Sequence, residues 1–273
     1  MITHRLSTIL LIFTLTIVAN AQDGPSEAAA TSSRKDDFVN APIQYRAAGT
    51  HKFSKEAKAA LEAPADLKLA HKDFLKQKNT GLAKLLPRKE KNDGMLVSAN
   101  RPEVFIPTRY GGASYSFSNR KHDDDSGVEI LLDKDIHFYP PGTAFHAGTA
   151  GADLGFMTKL GDIAIEDVTV DRKEAKFLAD FVPPSQESEA RAQQRINLLG
   201  FKVNGMFYRT NVPAEENTTY LLRTIRYNRA DVLVAFRTIR KESDGSFVLL
   251  WKILKKNPIP ILKKKPCYFG PCG

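Results

Sequence analysis

The chain has 273 residues, of which 42% are hydrophobic and 26% charged, and a net charge of +9. That balance is ordinary for a soluble globular protein, and the length allows one large or two small domains with a real core. After the N-terminus no apolar stretch reaches the length of a membrane-spanning helix.

The first 21 residues read as a secretory signal. Arg5 supplies a short positive region, Leu6–Val18 is apolar apart from Ser7, Thr8, Thr14 and Thr16, and Ala19-Asn20-Ala21 is an A-x-A cleavage signal. The apolar run is shorter than the roughly 20 residues that a membrane anchor needs. Cleavage near Ala21 predicts an exported chain, secreted or periplasmic, starting at Gln22. Residues 22–53 are dominated by Ala, Ser, Thr, Gly and Pro. Such a segment buries too little surface to offset its ordering entropy and is expected to be a disordered linker.

Residues 54–93 read as a basic helical segment. Ser54 is a candidate N-cap for KEAKAALEA, Pro64 interrupts, and Asp66 can cap a second helix to about Gln77. Leu67, Ala70, Phe74 and Leu75 form an apolar stripe, while Lys68, Lys72 and Lys76 recur on another face. Gly81 reads as a stop or hinge. Two readings compete: a basic amphipathic helix on an anionic membrane, and a helix packed on the domain with a solvated lysine face. The narrow stripe favours the second.

From residue 94 the period changes. MLVSA and EVFIP are short strand-like runs, Ser114–Asn119 and Val128–Tyr139 suggest a long hairpin, and Gly142–Gly155 reads as an extended loop. Gly155–Leu160 and Asp162–Val170 suggest another hairpin about Gly161. Arg172–Phe181 fits helix or strand. Ser185–Leu199 reads as a helix capped by Ser185, with Gly200 just beyond its end. Asn204-Gly205 is the strongest hairpin signal. Asn217-Thr218-Thr219 matches a glycosylation acceptor, which matters only in a host that glycosylates exported chains.

Thr218–Leu254 then gives three apolar, β-branched and aromatic runs separated by short polar turns. They predict a three-strand antiparallel meander that carries most of the core. Two registers are open for its second hairpin. A two-residue turn at Asp244-Gly245 sets Phe236 against Ile253 and Arg237 against Lys252; a bulged turn sets Arg237 against Trp251, allowing a cation–π contact. Pro258 and Pro260 end strand structure, so 258–273 reads as a basic extended tail. Cys267 and Cys272 are expected to close a small structural disulfide at its end, stiffening the terminus.

The fold class expected is mainly β (α+β): an antiparallel β-sandwich or curved sheet over residues 94–257, with a C-terminal three-strand meander and peripheral helices. Charge is distributed in blocks. Tyr110–Asn217 is acidic, with seventeen Asp and Glu against eleven Lys and Arg, whereas Thr218–Gly273 has twelve basic residues against three acidic ones. Arg223, Arg226, Arg237, Arg240, Lys252, Lys255, Lys256, Lys263, Lys264 and Lys265 are therefore the candidate binding residues. Their expected partner is an anionic envelope surface or acidic polymer. A solvated basic end is the bland alternative, and nucleic acid is disfavoured by export and by the lack of a recognition motif.

Catalytic spacing is weak. There is no H-E-x-x-H, P-loop or G-x-S-x-G pattern. The EF-hand pattern fails at Asp123–Asp125, since the twelfth position from Asp123 is Lys134. The reading is of a non-enzymatic exported protein with a β-rich binding or structural domain, no cofactor and no metal. The alternative is an exported hydrolase using Asp135, His137, His146 and Asp153 in the Gly-rich region 135–155, because sites often sit on loops.

Overall fold

A computed structural model describes residues 54–88, 111–122, 127–133, 137–139 and 153–263. The signal sequence, the linker, the runs at 95–107, Asp123–Asp125, Asp135, His146, Lys264, Lys265 and the cysteine pair all lie outside the described residues.

In chain order the helices are α1 Lys55–Leu61, α2 Ala65–Ala70, α3 Lys72–Leu75, α4 Lys173–Asp180 and α5 Glu187–Leu199. The strands are β1 Thr80–Leu85, β2 Ser114–Tyr115, β3 Ile130–Leu132, β4 His137–Tyr139, β5 Asp153–Gly161, β6 Phe201–Val203, β7 Met206–Tyr208, β8 Val212–Pro213, β9 Thr218–Arg226, β10 Ala230–Lys241 and β11 Phe247–Lys256. The protein is sheet-rich: a five-stranded antiparallel sheet runs β1-β11-β10-β9-β5, a four-stranded sheet runs β2-β3-β4-β8, and β6 pairs with β7.

The long strands form where the sequence alternates, and both faces of the large sheet are buried. Leu154, Phe156, Leu221, Ile225, Leu233, Ala235 and Leu250 pack with Ala175, Leu178 and Ala190 of α4 and α5. The other face carries Tyr220, Leu222, Val232, Val234, Phe236, Phe247, Leu249 and Trp251. It packs against Tyr115, Ile130, Leu132, Phe138 and Val212 of the smaller sheet and its flank. Coverage on both faces explains why β10 opens with a continuous apolar run.

The structure corrects several expectations. Thr80–Leu85 is not the tail of a helical segment: it pairs antiparallel with β11, from Thr80 opposite Lys252 to Leu85 opposite Phe247. The break expected after residue 93 therefore does not isolate 54–93, because β1 is an edge strand of the main sheet. Gly81 allows it, since a Cβ there would lie 2.3 Å from the Trp251 ring. The hairpin expected about Gly161 is replaced by β5 paired with β9, followed by a single 3-10 turn at Ile165–Asp167. Ile165 and Val168 are buried in that turn region, which draws 162–170 down onto the sheet face.

Neither register expected for β10 and β11 survives intact. Next to the turn Arg240 faces Val248 and Lys241 faces Phe247, but an irregularity between Thr238 and Arg240 shifts the rest. Phe236 then faces Trp251 and Arg237 faces Leu250. The cation over Trp251 is Arg120, 5.5 Å from the ring centroid, and not Arg237. Arg172–Phe181 resolves as helix α4. The cap expected at Ser185 falls instead to Gln186, which makes no side-chain cap bond, while Gly200 ends α5 with φ +81°. Asn204 (φ +51°) and Gly205 (φ +80°) make the β6–β7 turn as read.

Candidate functional site

The predicted basic residues are best understood from Arg223. It projects from the middle of β9 on the face that carries Leu221 and Ile225, and it is 2% exposed. A buried guanidinium is tolerated only when its donors find acceptors. Nε and Nη2 donate to the two Asp231 carboxylate oxygens at 2.9 and 2.7 Å. Nη1 donates to the carbonyls of Leu178 and of Phe181, the latter at 2.7 Å. Asp231 also accepts from Asn257 Nδ2 at 3.0 Å.

Those carbonyls identify what the arginine does. The last turn of a helix leaves its C=O groups without intrahelical donors, and its dipole favours a cation there. At the end of α4, Arg223 takes the Leu178 oxygen and Lys255 Nζ takes the Ala179 oxygen at 2.7 Å. Upstream in the same crossing segment, Arg237 Nη1 donates to Ile163 O at 3.0 Å, and its Nη2 pairs with Asp162 at 2.6 Å. Lys252 Nζ donates to Glu166 O at 3.0 Å, and partial burial pulls its pKa below the ordinary lysine value. Four of the ten candidate cations thus fasten residues 162–181 to the sheet.

Two of the candidate binding residues are buried and on opposite faces of β9: Arg223, and Arg226, which is 5% exposed. Arg240 pairs with Asp66 at 2.7 Å and with Glu242 at 2.8 Å, tying β10 to α2. Lys256 and Lys263 are exposed. Between them Ile259 and Ile261 are 53% and 62% exposed, while Leu262 is buried. This stretch is fixed by Asn257 N to Asp231 O (2.9 Å), Asn228 N to Pro260 O (2.8 Å) and Lys263 N to Ser185 O (2.8 Å).

On the other face of the large sheet, polar groups cluster about Trp251. Its ring lies 6.1 Å from Tyr115 and 5.5 Å from Phe117, centroid to centroid. Burial pushes the Tyr115 phenol up to about 12. His122 Nδ1 is 2.7 Å from Ser114 O, and burial holds its imidazole down to about 4, so the ring is neutral and donates to that carbonyl. Glu129 is buried, accepts the Ser118 backbone N–H at 3.0 Å, and has its carboxyl pKa raised by burial.

Of the residues behind the hydrolase alternative, His137 belongs to β4, opposite Pro213, and Asp153 begins β5, opposite Arg226. They lie on different sheets. Asp135 and His146 fall outside the described residues. Among the described residues no group of three or more His, Cys, Asp or Glu is placed to hold a metal ion, and no helix is long and apolar enough to cross a membrane. Of the acceptor triplet, Asn217 is exposed in the turn before β9, whereas Thr218 and Thr219 begin that strand and are buried.

Sequence reasoning passed over Arg209. It sits in a short polar stretch with no local signature, and only its bridge to Met157 of β5 places it beside a cleft. Comparison with family models, with curated proteins and with solved structures found no match.

Proposed function

We propose that the chain is an exported, non-enzymatic protein whose β-rich domain acts as a binding or structural module at the cell envelope or outside it. In this reading the two sheets form a β-sandwich, with β9–β11 as the meander that scaffolds it, and the basic C-terminal end contacts an anionic surface or polymer. The observation that carries the reading is the exposed stretch 256–263. Lys256 and Lys263 flank the exposed Ile259 and Ile261, and the chain continues as Lys264-Lys265. Apolar side chains beside lysines suit an anionic interface, where each lysine contributes about 1 kcal/mol. The buried anchor Leu262 and three backbone bonds hold the stretch in place, which lowers the ordering cost of contact.

Co-sedimentation tests it. The mature chain is expected to bind phosphatidylglycerol vesicles or an acidic polysaccharide and to release from both as salt rises. It should ignore neutral phosphatidylcholine. Replacing Lys256, Lys263, Lys264 and Lys265 by Gln should weaken binding by at least about tenfold. Equal binding to neutral vesicles, or none to either anionic partner, removes the reading. N-terminal sequencing of protein from the producing cell tests export, with Gln22 expected as the first residue.

A further inference from the structure

We propose that the cleft between the β6–β7 turn, β5 and β8 binds a small organic carboxylate with an apolar body, and that Arg209 is its counter-ion. This site is separate from the basic C-terminal stretch. The cleft has a volume of about 350 Å³ and is walled by Thr158, Met206, Phe207, Val212 and Pro213, with Arg209 among them. That volume is at the lower end of small-molecule sites, which run from roughly 300 to 1,000 Å³. Phe207 is 42% exposed, an unusual position for a phenyl ring on a protein surface. Its ring rests on Gly200, where a Cβ would come within 2.4 Å of it, so the wall is held and not floppy.

Arg209 is built into this wall. Its backbone exchanges two hydrogen bonds with Met157 of β5, at 2.7 and 3.0 Å. Its Nε is buried and has no acceptor. Among the described residues, Arg172, Arg191, Arg223, Arg237 and Arg240 each have a carboxylate partner, whereas Arg195, Arg209 and Arg229 have neither an ion pair nor a side-chain hydrogen bond, and of these three Arg209 lines the cleft. A guanidinium with no carboxylate partner beside apolar walls is poorly compensated, and an anion bound in the cleft supplies the missing countercharge. One residue further on, Thr210 N donates to Asn197 O at 3.0 Å, and the Asn197 side chain, fully buried, carries a second donor without an acceptor.

The chemistry of the walls selects the ligand. The neighbouring cation, Lys159, is already paired with Glu215 at 2.5 Å, so the cleft offers one uncompensated positive charge. A monoanion neutralises it; a phosphate dianion leaves net charge against apolar walls. The two Nη amines, the accessible end of this half-buried side chain, fit the two oxygens of a carboxylate. Met206, Phe207, Val212 and Pro213 then receive an aliphatic or aromatic body.

Calorimetric or NMR titration of the full chain with phenylacetate tests this, with 2-phenylethanol and inorganic phosphate as comparison probes. Phenylacetate is expected to bind, and each comparison probe to bind at least about tenfold more weakly, since a charged hydrogen bond to Arg209 is lost or left unbalanced. Arg209→Gln should abolish the preference for phenylacetate over the alcohol while its thermal unfolding stays at or above that of the parent. Phe207→Ala should weaken both aromatic probes several-fold. The variant lacking the four C-terminal lysines should bind phenylacetate as the parent does. No binding of phenylacetate at millimolar concentration, equal binding by Arg209→Gln, or loss confined to the C-terminal lysine variant would each overturn the assignment.

Discussion

Arg223 places a charge where water does not reach, and the four hydrogen bonds it donates are what make that position tolerable. Arg223→Ala leaves Asp231 buried and short of its charged partner, so it should destabilise the fold by about 3–5 kcal/mol in urea unfolding. Arg223→Lys should recover only part of the loss, because one ammonium cannot serve both Asp231 oxygens and two carbonyls. His122 is a second residue whose state the fold dictates. Its pKa falls from 6.5 to about 4 on burial, so between those values the unfolded chain binds the additional proton. Stability should therefore be complete above about pH 6.5 and decline as the pH falls toward 4, by about 1–3 kcal/mol. His122→Asn keeps a donor for Ser114 O and should flatten that part of the curve relative to the parent. Glu129 works in the opposite sense, its raised pKa favouring the fold at low pH and withdrawing that support as pH rises above the ordinary carboxylate range.

Elements were legible where a short-range pattern is their cause. The runs of β9, β10 and β11 alternate or stay apolar, and Asn204-Gly205 has the backbone freedom that its tight turn requires. β1 was illegible because TGLAKL has no strand signature of its own and follows three short helices; only pairing with β11, far along the chain, makes it a strand. The register of β10 against β11 was hidden for a related reason. Its irregularity between Thr238 and Arg240 lies inside the strand, away from the turn whose sequence was read. The contact that fixes β1 is testable. Gly81→Ala would set a methyl group 2.3 Å from the buried Trp251 ring. With Tyr115 and Phe117 against that ring, it has little room to retreat. The variant should lose about 1–3 kcal/mol, read from chemical denaturation, with a change in Trp251 fluorescence.

At the scale of the molecule, the basic end seen in the sequence divides into two populations that composition cannot separate. Arg223, Arg237, Lys252 and Lys255 point to the helix side of the large sheet and hold residues 162–181 through backbone carbonyls. Lys256 and Lys263 face solvent. The charge blocks were readable because charge is a sum over residues, whereas the direction of each side chain follows from pairings between β9, β10 and β11 that only the assembled sheet defines. The division predicts opposite behaviour for two sets of variants. Replacing Arg237, Lys252 and Lys255 by Gln removes three charge-assisted bonds to segment 162–181 and should cost about 2 kcal/mol in total, discounted for their partial exposure. Amide exchange in 162–181 should speed up while β9–β11 stay protected, because the core beneath is unchanged. Binding to anionic vesicles should fall little. Replacing Lys256, Lys263, Lys264 and Lys265 should leave unfolding and exchange as they were and remove the vesicle binding. If the first set abolishes binding without loosening 162–181, the inward cations are surface ligands after all, and the carbonyl contacts are not what holds that segment down.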